Sequence, residues 1–281
     1  KQTGVDFAHY KPGTVHRRIE RRMHICQTGS LEDYVRLTRE SPREVTTLFK
    51  ELLIGVTKFF RDPEAFETLA HQVVARIVES ATRSEPIRIW VPACSTGEEA
   101  YSLAMLFHEQ VEAQGRGLEV KVFATDLDRE AIEVASTGAY PESISADISP
   151  ERLARFFTRR GDHFHVSRAL RHSVVFATHN LIKDAPFSRI DLVSCRNLMI
   201  YFDAQLQRRV LSLLHFSLKP AAYLFLGASE SVSDLPDQFR LIEPKHKLFQ
   251  RVGSARMPLI DVRSDHPPLR LHDRVTEPVS L

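Results

Sequence analysis

From Ile87 onward, short runs rich in β-branched apolar residues alternate with amphipathic stretches of helical period, and this alternation constrains the fold more than any other feature. Ile87–Val91, Val120–Thr125, Val174–Ala177, Ile190–Ser194 and Tyr223–Leu226 read as buried strands. A strand apolar along its whole length must be covered on both faces, which is the condition of a parallel sheet flanked by helices. Glu98–His108 and Arg129–Ser136 supply two covering helices. A third starts at an Asp203 cap and carries Leu206, Val210, Leu213 and Leu214 as its stripe. The expectation is an α/β sheet unit over 84–253, closed by an antiparallel hairpin of Phe239–Ile242 and Leu248–Val252. Alternating pieces such as Phe164-His165-Val166 predict a small antiparallel β insert at about 160–176. From Ser254 the chain is rich in Pro, Arg and Asp without periodicity and reads as a tail or linker.

The first 80 residues read as a helical domain with a linker helix. Val15, Ile19 and Met23 form one stripe. Ser30 with Asp33 predicts a capped second helix burying Leu31, Tyr34, Val35 and Leu37, and a third carries Val45, Leu48, Phe49 and Leu52. Asp62-Pro63, an acid before a proline, predicts the N-cap of the linker helix, whose stripe is Phe66, Leu69, Val73, Val74 and Ile77.

Bulk properties exclude more than they assert. A formal charge of +2 over 281 residues does not argue for nucleic acid or a membrane surface. Cys26, Cys94 and Cys195 form no CxxC pair, and the 13 histidines show no metal-ligand spacing. The expectations are therefore a reducing, cytoplasmic setting, no metal and no nucleic-acid partner. No apolar run approaches the roughly 20 residues that span a bilayer, so direct membrane insertion is not expected. The chain opens on Lys1 rather than Met, as a piece of a longer protein would.

Chemistry-bearing residues fall at strand ends. Val91–Glu99 runs from a strand through a loop of small residues into a helix, the place where open α/β sheets bind ligands. It has one glycine and no GxGxxG. Glu98 and Glu99 in the first helical turn would repel a phosphate but suit a cation such as a sulfonium or ammonium; alternatively both only complement the helix dipole. Asp126 ends the second strand, where a carboxylate can accept both hydroxyls of a ribose, Asp128 being nearer the capping position of the next helix. Asn180 and Asn197 follow later strands, where amides either read a ligand edge or form turns. Arg61 precedes a helix start, where the dipole offers a cation nothing. Arg17, Arg18, Arg21 and Arg22 form two i,i+4 pairs on the first helix, either a solvated face or a docking face for an acidic protein.

Six runs, in order, resemble the CheR-type chemotaxis protein-glutamate O-methyltransferases: Thr57–Asp62, Arg88–Tyr101, Val122–Asp128, Val175–Leu181, Asp191–Phe202 and Lys219–Glu230. The resemblance implies a Rossmann-like S-adenosylmethionine-dependent methyltransferase sheet with an N-terminal helical domain and a small antiparallel β insert. It implies cofactor contacts at Thr57, Arg61, Glu98, Asp126, Asn180, Leu181, Arg196 and Asn197. Gly55 stands where members commonly carry Asn, which leaves that contact to backbone. It also implies methylation of glutamates on the cytoplasmic region of a chemoreceptor or similar signalling protein, with the arginine-rich helix docking the receptor. The insert Arg159–Phe164 lacks the extra glycine-containing loop of tether-binding members, so recognition without a tether is expected. The ends resemble fusions of such a domain with other signalling modules. Arg61 and Tyr201 are expected to orient the incoming carboxylate, Tyr201 having core packing as its other reading. A binding module without turnover, or a methyltransferase for a small molecule or nucleic acid, would use the same sheet. The Asn/Asp-Pro-Pro-aromatic motif of amine-directed nucleic-acid enzymes is absent.

Overall fold

A computed structural model describes residues 5–254. The tail expected beyond Ser254, like residues 1–4, lies outside them. The amino-terminal layer holds α1 (Pro12–Ile25), α2 (Leu31–Glu40) and α3 (Pro42–Leu53). The remainder runs α4 (Pro63–Leu69), a π-helical turn (Ala70–Val74), α5 (Ala75–Ser80), β1 (Ile87–Pro92), α6 (Glu98–Ala113), β2 (Val120–Asp126) and α7 (Arg129–Thr137). There follow β3 (Ala139–Pro141), α8 (Pro150–Phe156), β4 (Phe157–Arg160), β5 (His163–Val166), α9 (Arg168–His172) and β6 (Val174–Thr178). The chain then forms β7 (Ile190–Cys195), α10 (Ala204–Ser217), β8 (Leu218–Leu226), β9 (Phe239–Glu243) and β10 (Leu248–Arg251).

Seven strands form one sheet in the order β6-β2-β1-β7-β8-β10-β9. The first five are parallel and β10 is antiparallel to both its neighbours, as the strand and hairpin patterns predict. The chain winds outward from β1 in one direction through β2 and β6, then returns to the other side at β7. That reversal opens a crevice beyond the carboxyl ends of β1 and β7, where two loops part in opposite directions.

Local chemistry explains most element starts. Ser30 Oγ accepts from Asp33 N at 3.1 Å, and Asp203 Oδ1 accepts from Leu206 N at 2.8 Å, so both expected caps are present. Asp62 does not cap. Its φ is +64°, its side chain bonds no helix N–H, and its carboxylate instead takes Arg196 Nη2 at 2.7 Å. A charge-assisted bond to a buried guanidinium outweighs an exposed cap.

Three further expectations need correction. On α2 only Tyr34 is buried, while Leu31 and Val35 are 56% and 40% exposed. Tyr34 and Leu37 share one helix face, whereas Leu31 and Val35 lie on the next, away from it. The small sheet is not built from 160–176: its order is β3-β5-β4, so it starts at Ala139 and ends at Val166. Val174–Thr178 belongs to the main sheet as its edge strand β6. Finally, α4 to α5, grouped by sequence with the helical domain, sinks Phe66, Leu69, Val73, Val74 and Ile77 into the same apolar cluster as Ile87, Ile89 and Val91 of β1. This helix is part of the sheet unit's core.

The three amino-terminal helices are tied by a buried polar knot. Arg22 donates Nε and Nη2 to the two oxygens of Glu44 at 2.8 and 2.7 Å and reaches Glu51 at 3.3 Å, and Tyr34 Oη donates to Glu44 at 2.7 Å. The Arg22 guanidinium is the main cause that holds the Glu44 carboxyl below its ordinary pKa. Stabilisation from a depressed carboxyl is complete above its unfolded pKa and is lost as pH falls through the folded one. Arg22→Ala leaves Glu44 without its counter-ion and should cost about 3 kcal/mol in urea unfolding at neutral pH. The deficit should shrink on acidification below the ordinary carboxylate range; a variant as stable as wild type would show the knot to be idle.

Candidate functional site

The crevice at the sheet's reversal is a cleft partly open to solvent. Its floor is the loop after β1. Cys94 N donates to Thr125 O at 3.0 Å, and Ser95 Oγ donates to Gly55 O at 3.0 Å, so this loop joins β2's end to the linker before α4. At Gly97 φ is +95°, and a Cβ there would meet Ala135 Cβ at 2.9 Å, so the floor turns only with glycine at this point. Ile54, Ala93, Ser95 and Asn197, all cleft-lining, also hold left-handed φ, and such strain collects where backbone must present itself to a ligand.

Asp126 stands at the tip of β2. Its Oδ2 accepts Ser95 N at 2.7 Å and its Oδ1 accepts Asp128 N at 2.9 Å. Each carboxylate oxygen has a second lone pair, so two acceptor sites remain for a vicinal diol. Burial, outweighing these bonds, pushes its pKa up from the ordinary aspartate value. Beyond β6, Asn180 Oδ1 accepts Ile182 N at 3.0 Å and shapes the turn that brings Leu181 to the wall. His179 Nε2 donates to Ala185 O at 3.1 Å, which leaves Nδ1 an acceptor, buried and without a partner among the described residues.

The opposite wall carries charge. Glu99 accepts Ser194 Oγ at 2.7 Å and Arg196 Nη1 at 3.4 Å. Burial raises its pKa, and the Arg196 charge opposes that rise. The Arg196 side chain is 1% exposed, lies over the rings of Phe66 and Phe225, and joins Glu99 to Asp62. Its guanidinium is thus committed to holding the linker against the sheet. Glu230 is buried beside it, accepting N–H groups from Asn197, Met199 and Gly227 at 3.0, 2.8 and 2.7 Å. It fixes the turn that carries Asn197 and Tyr201 to the rim.

Of the expected site residues, Thr57, Arg61, Asp126, Asn180, Leu181, Arg196, Asn197 and Tyr201 meet around this one cleft, although four separate segments contribute them. Glu98 does not line it. Its carboxylate turns back to Thr96 Oγ1 at 2.7 Å, and Glu99 takes the place at the wall. Helical geometry decides this, because adjacent residues point about 100° apart and only one can face the crevice.

Two family profiles cover the chain: residues 1–53 match the CheR methyltransferase all-alpha domain, and residues 55–248 match the CheR methyltransferase SAM-binding domain. The chain belongs to the CheR methyltransferase family. A chemotaxis protein methyltransferase of Pseudomonas aeruginosa is 34% identical over 86% of this chain and 90% of its own length. One of Escherichia coli is also 34% identical, over 86% and 84%. An uncharacterized 104.1 kDa protein of Rhodobacter capsulatus is 44% identical over 92% of this chain, which spans only 27% of that protein's length.

The cleft fits the group that a CheR SAM-binding domain is named for. An acid with free lone pairs, an orphaned imidazole acceptor and closely approachable backbone suit a nucleoside with a cationic tail. Among the described residues no helix is long and apolar enough to cross a membrane. The arginine face divides on inspection. Arg17 and Arg21 are exposed, and Arg18 borders a hollow with Thr14, Arg17, Ile54 and Tyr201. Arg22, expected to dock a partner, is 12% exposed and belongs to the Glu44 knot, so it is removed from that set. Cleft residues missed by the sequence reading include Tyr10, Leu53, Ile54, Val56, His179 and Ile182. For His179 the signal was its place beside Asn180 at a strand tip; Tyr10 offers none, lying in no periodic stretch.

Proposed function

We propose that this CheR-family chain methylates glutamate side chains on the cytoplasmic region of a chemoreceptor or similar signalling protein. The observation that carries the reading is that two hollows adjoin. Ile54 and Tyr201 line both the main cleft and the hollow bordered by Arg17 and Arg18, so an acidic segment lying on α1 would reach the residues that wall the cleft. The family and the names of its relatives point the same way.

S-adenosylmethionine, when bound, supplies an electrophilic methyl group on a sulfonium. Asp126 would hold the ribose diol, the wall from His179 to Ile182 the adenine, and the loop around Ser95 with Glu99 the cationic amino-acid end. Thr57 and Asn197 offer hydrogen bonds at the rim, and Arg196 acts through Asp62 and Glu99. A glutamate carboxylate, with an ordinary pKa of about 4.3, is ionised at neutral pH, so no residue need remove a proton. What the protein contributes is alignment and exclusion of water. Arg61 and Tyr201, at the mouth, would take the acceptor carboxylate from the arginine face and fix its direction.

The test is transfer of labelled methyl from S-adenosylmethionine to receptor cytoplasmic fragments. The label should be released as methanol by mild alkali, as an ester demands, with none entering DNA. Alkali-stable label, or label in DNA, sinks the glutamate reading. Tight binding of S-adenosylhomocysteine without transfer to any protein would favour a sensory module instead.

A further inference from the structure

The segment before α1 is fastened to the sheet unit rather than trailing from the helical layer. Tyr10 forms a lone antiparallel bridge with Phe202, Lys11 N donates to Tyr201 O at 2.8 Å, and Asp203 N donates to His9 O at 2.9 Å. His9 Nδ1 and Asp203 Oδ2 add a side-chain contact at 3.0 Å. Two of the tethered residues, Tyr201 and Phe202, line the cleft, so the strap is set along its rim.

This arrangement drives Tyr10 inward. Its ring packs edge-on against Phe7 and Phe202, with centroids 4.8 and 5.0 Å apart, and it shares an apolar cluster with Leu181 from the turn after β6. The residue is buried and lines the cleft. Its hydroxyl has no hydrogen-bond partner among the described residues. The hydroxyl oxygen is not sealed from solvent although the residue is buried, and a phenol that lines a ligand cleft with no protein partner is free to donate to a ligand there. Burial, and secondly the Asp126 carboxylate, push its pKa up to about 12, so it stays protonated.

We propose that Tyr10 is a cofactor-binding residue supplied by the amino-terminal segment, its hydroxyl donating to the adenosine half of S-adenosylmethionine. The assignment rests on the reading of this cleft as the cofactor site. The adenosine half is chosen because Tyr10 and Leu181 belong to one apolar cluster and both line the cleft, and Asp126 is the acid that its hydroxyl senses. The ionic wall of Glu99 and Arg196 belongs to the other end. The all-alpha domain then serves both as a docking surface and as one side of the cofactor site.

Calorimetry on the whole chain, wild type and Tyr10→Phe, tests this with S-adenosylhomocysteine and with 5′-methylthioadenosine, which lacks the amino-acid end. The variant keeps the ring contacts, so its unfolding temperature without ligand should match wild type. Affinity should fall about 5-fold for both ligands, the worth of one hydrogen bond. Unchanged affinity for S-adenosylhomocysteine overturns the proposal, and so does a loss confined to S-adenosylhomocysteine. Failure of the wild-type chain to bind either ligand would overturn the reading of the cleft, and the Tyr10 assignment with it.

Discussion

Replacing Asp126 by alanine should weaken S-adenosylhomocysteine binding by at least about tenfold, or 1.4 kcal/mol. If both ribose hydroxyls donate to it, the loss is nearer a hundredfold, since hydrogen bonds to a charged group are each worth about 1.5–3 kcal/mol. The same carboxylate holds Ser95 N and Asp128 N, so alanine also loosens the cleft floor. Asp126→Asn separates the two effects. Its carboxamide oxygen still accepts one of these N–H groups, but it offers no charge to the diol. The sign of the pH dependence follows from ionisation. Burial raises the Asp126 pKa, and the ionised form is the one that accepts the diol. Affinity should therefore fall on acidification, beginning at a higher pH than an ordinary aspartate would dictate. Asp126→Asn should lack that acidic limb. Calorimetry across pH checks both points; an unchanged affinity in the alanine variant removes Asp126 from the site.

The place of Asp126 at the cleft was legible because it depends on little beyond the strand that ends on it. The same holds for the Ser30 and Asp203 caps, where donor and acceptor lie three positions apart. Legibility failed where the partner is distant. Asp62 reads as a cap until Arg196, 134 positions away, claims its carboxylate. Arg22 reads as surface charge until Glu44 arrives from another helix. Tyr10 has no local signature, because Phe202, 192 positions on in the turn after β7, gives it its place. The insert was misjudged for the same reason: β3 is three residues that make a strand only when β5 pairs with them. Glu98 and Glu99 show a finer limit, since identical neighbours differ only by which way the helix faces. The sheet was visible because its signal, five apolar runs of which most are separated by helices, repeats along the chain; contacts joining two units leave no such trace.

Arg61→Ala should act on turnover rather than on cofactor retention. The Arg61 guanidinium donates only to Val56 O, at 3.2 Å, and forms no ion pair among the described residues. Its neighbour Asp62 is by contrast anchored through Arg196 to Glu99, on the wall of the sheet. The backbone carrying Arg61 is thus fixed while its charge is left free at the mouth, as recognition of an arriving carboxylate requires. Truncating one side of such a pair should cost about 100-fold in kcat/KM on receptor fragments, roughly 2.7 kcal/mol, with S-adenosylhomocysteine affinity changed less than about threefold. Arg61→Lys should recover little of the loss, because an ammonium lacks the planar fork that fixes a carboxylate in direction. Equal losses in turnover and cofactor affinity would reassign Arg61 to the cofactor. Full recovery with lysine would mean that charge alone, and not alignment, is what the mouth supplies.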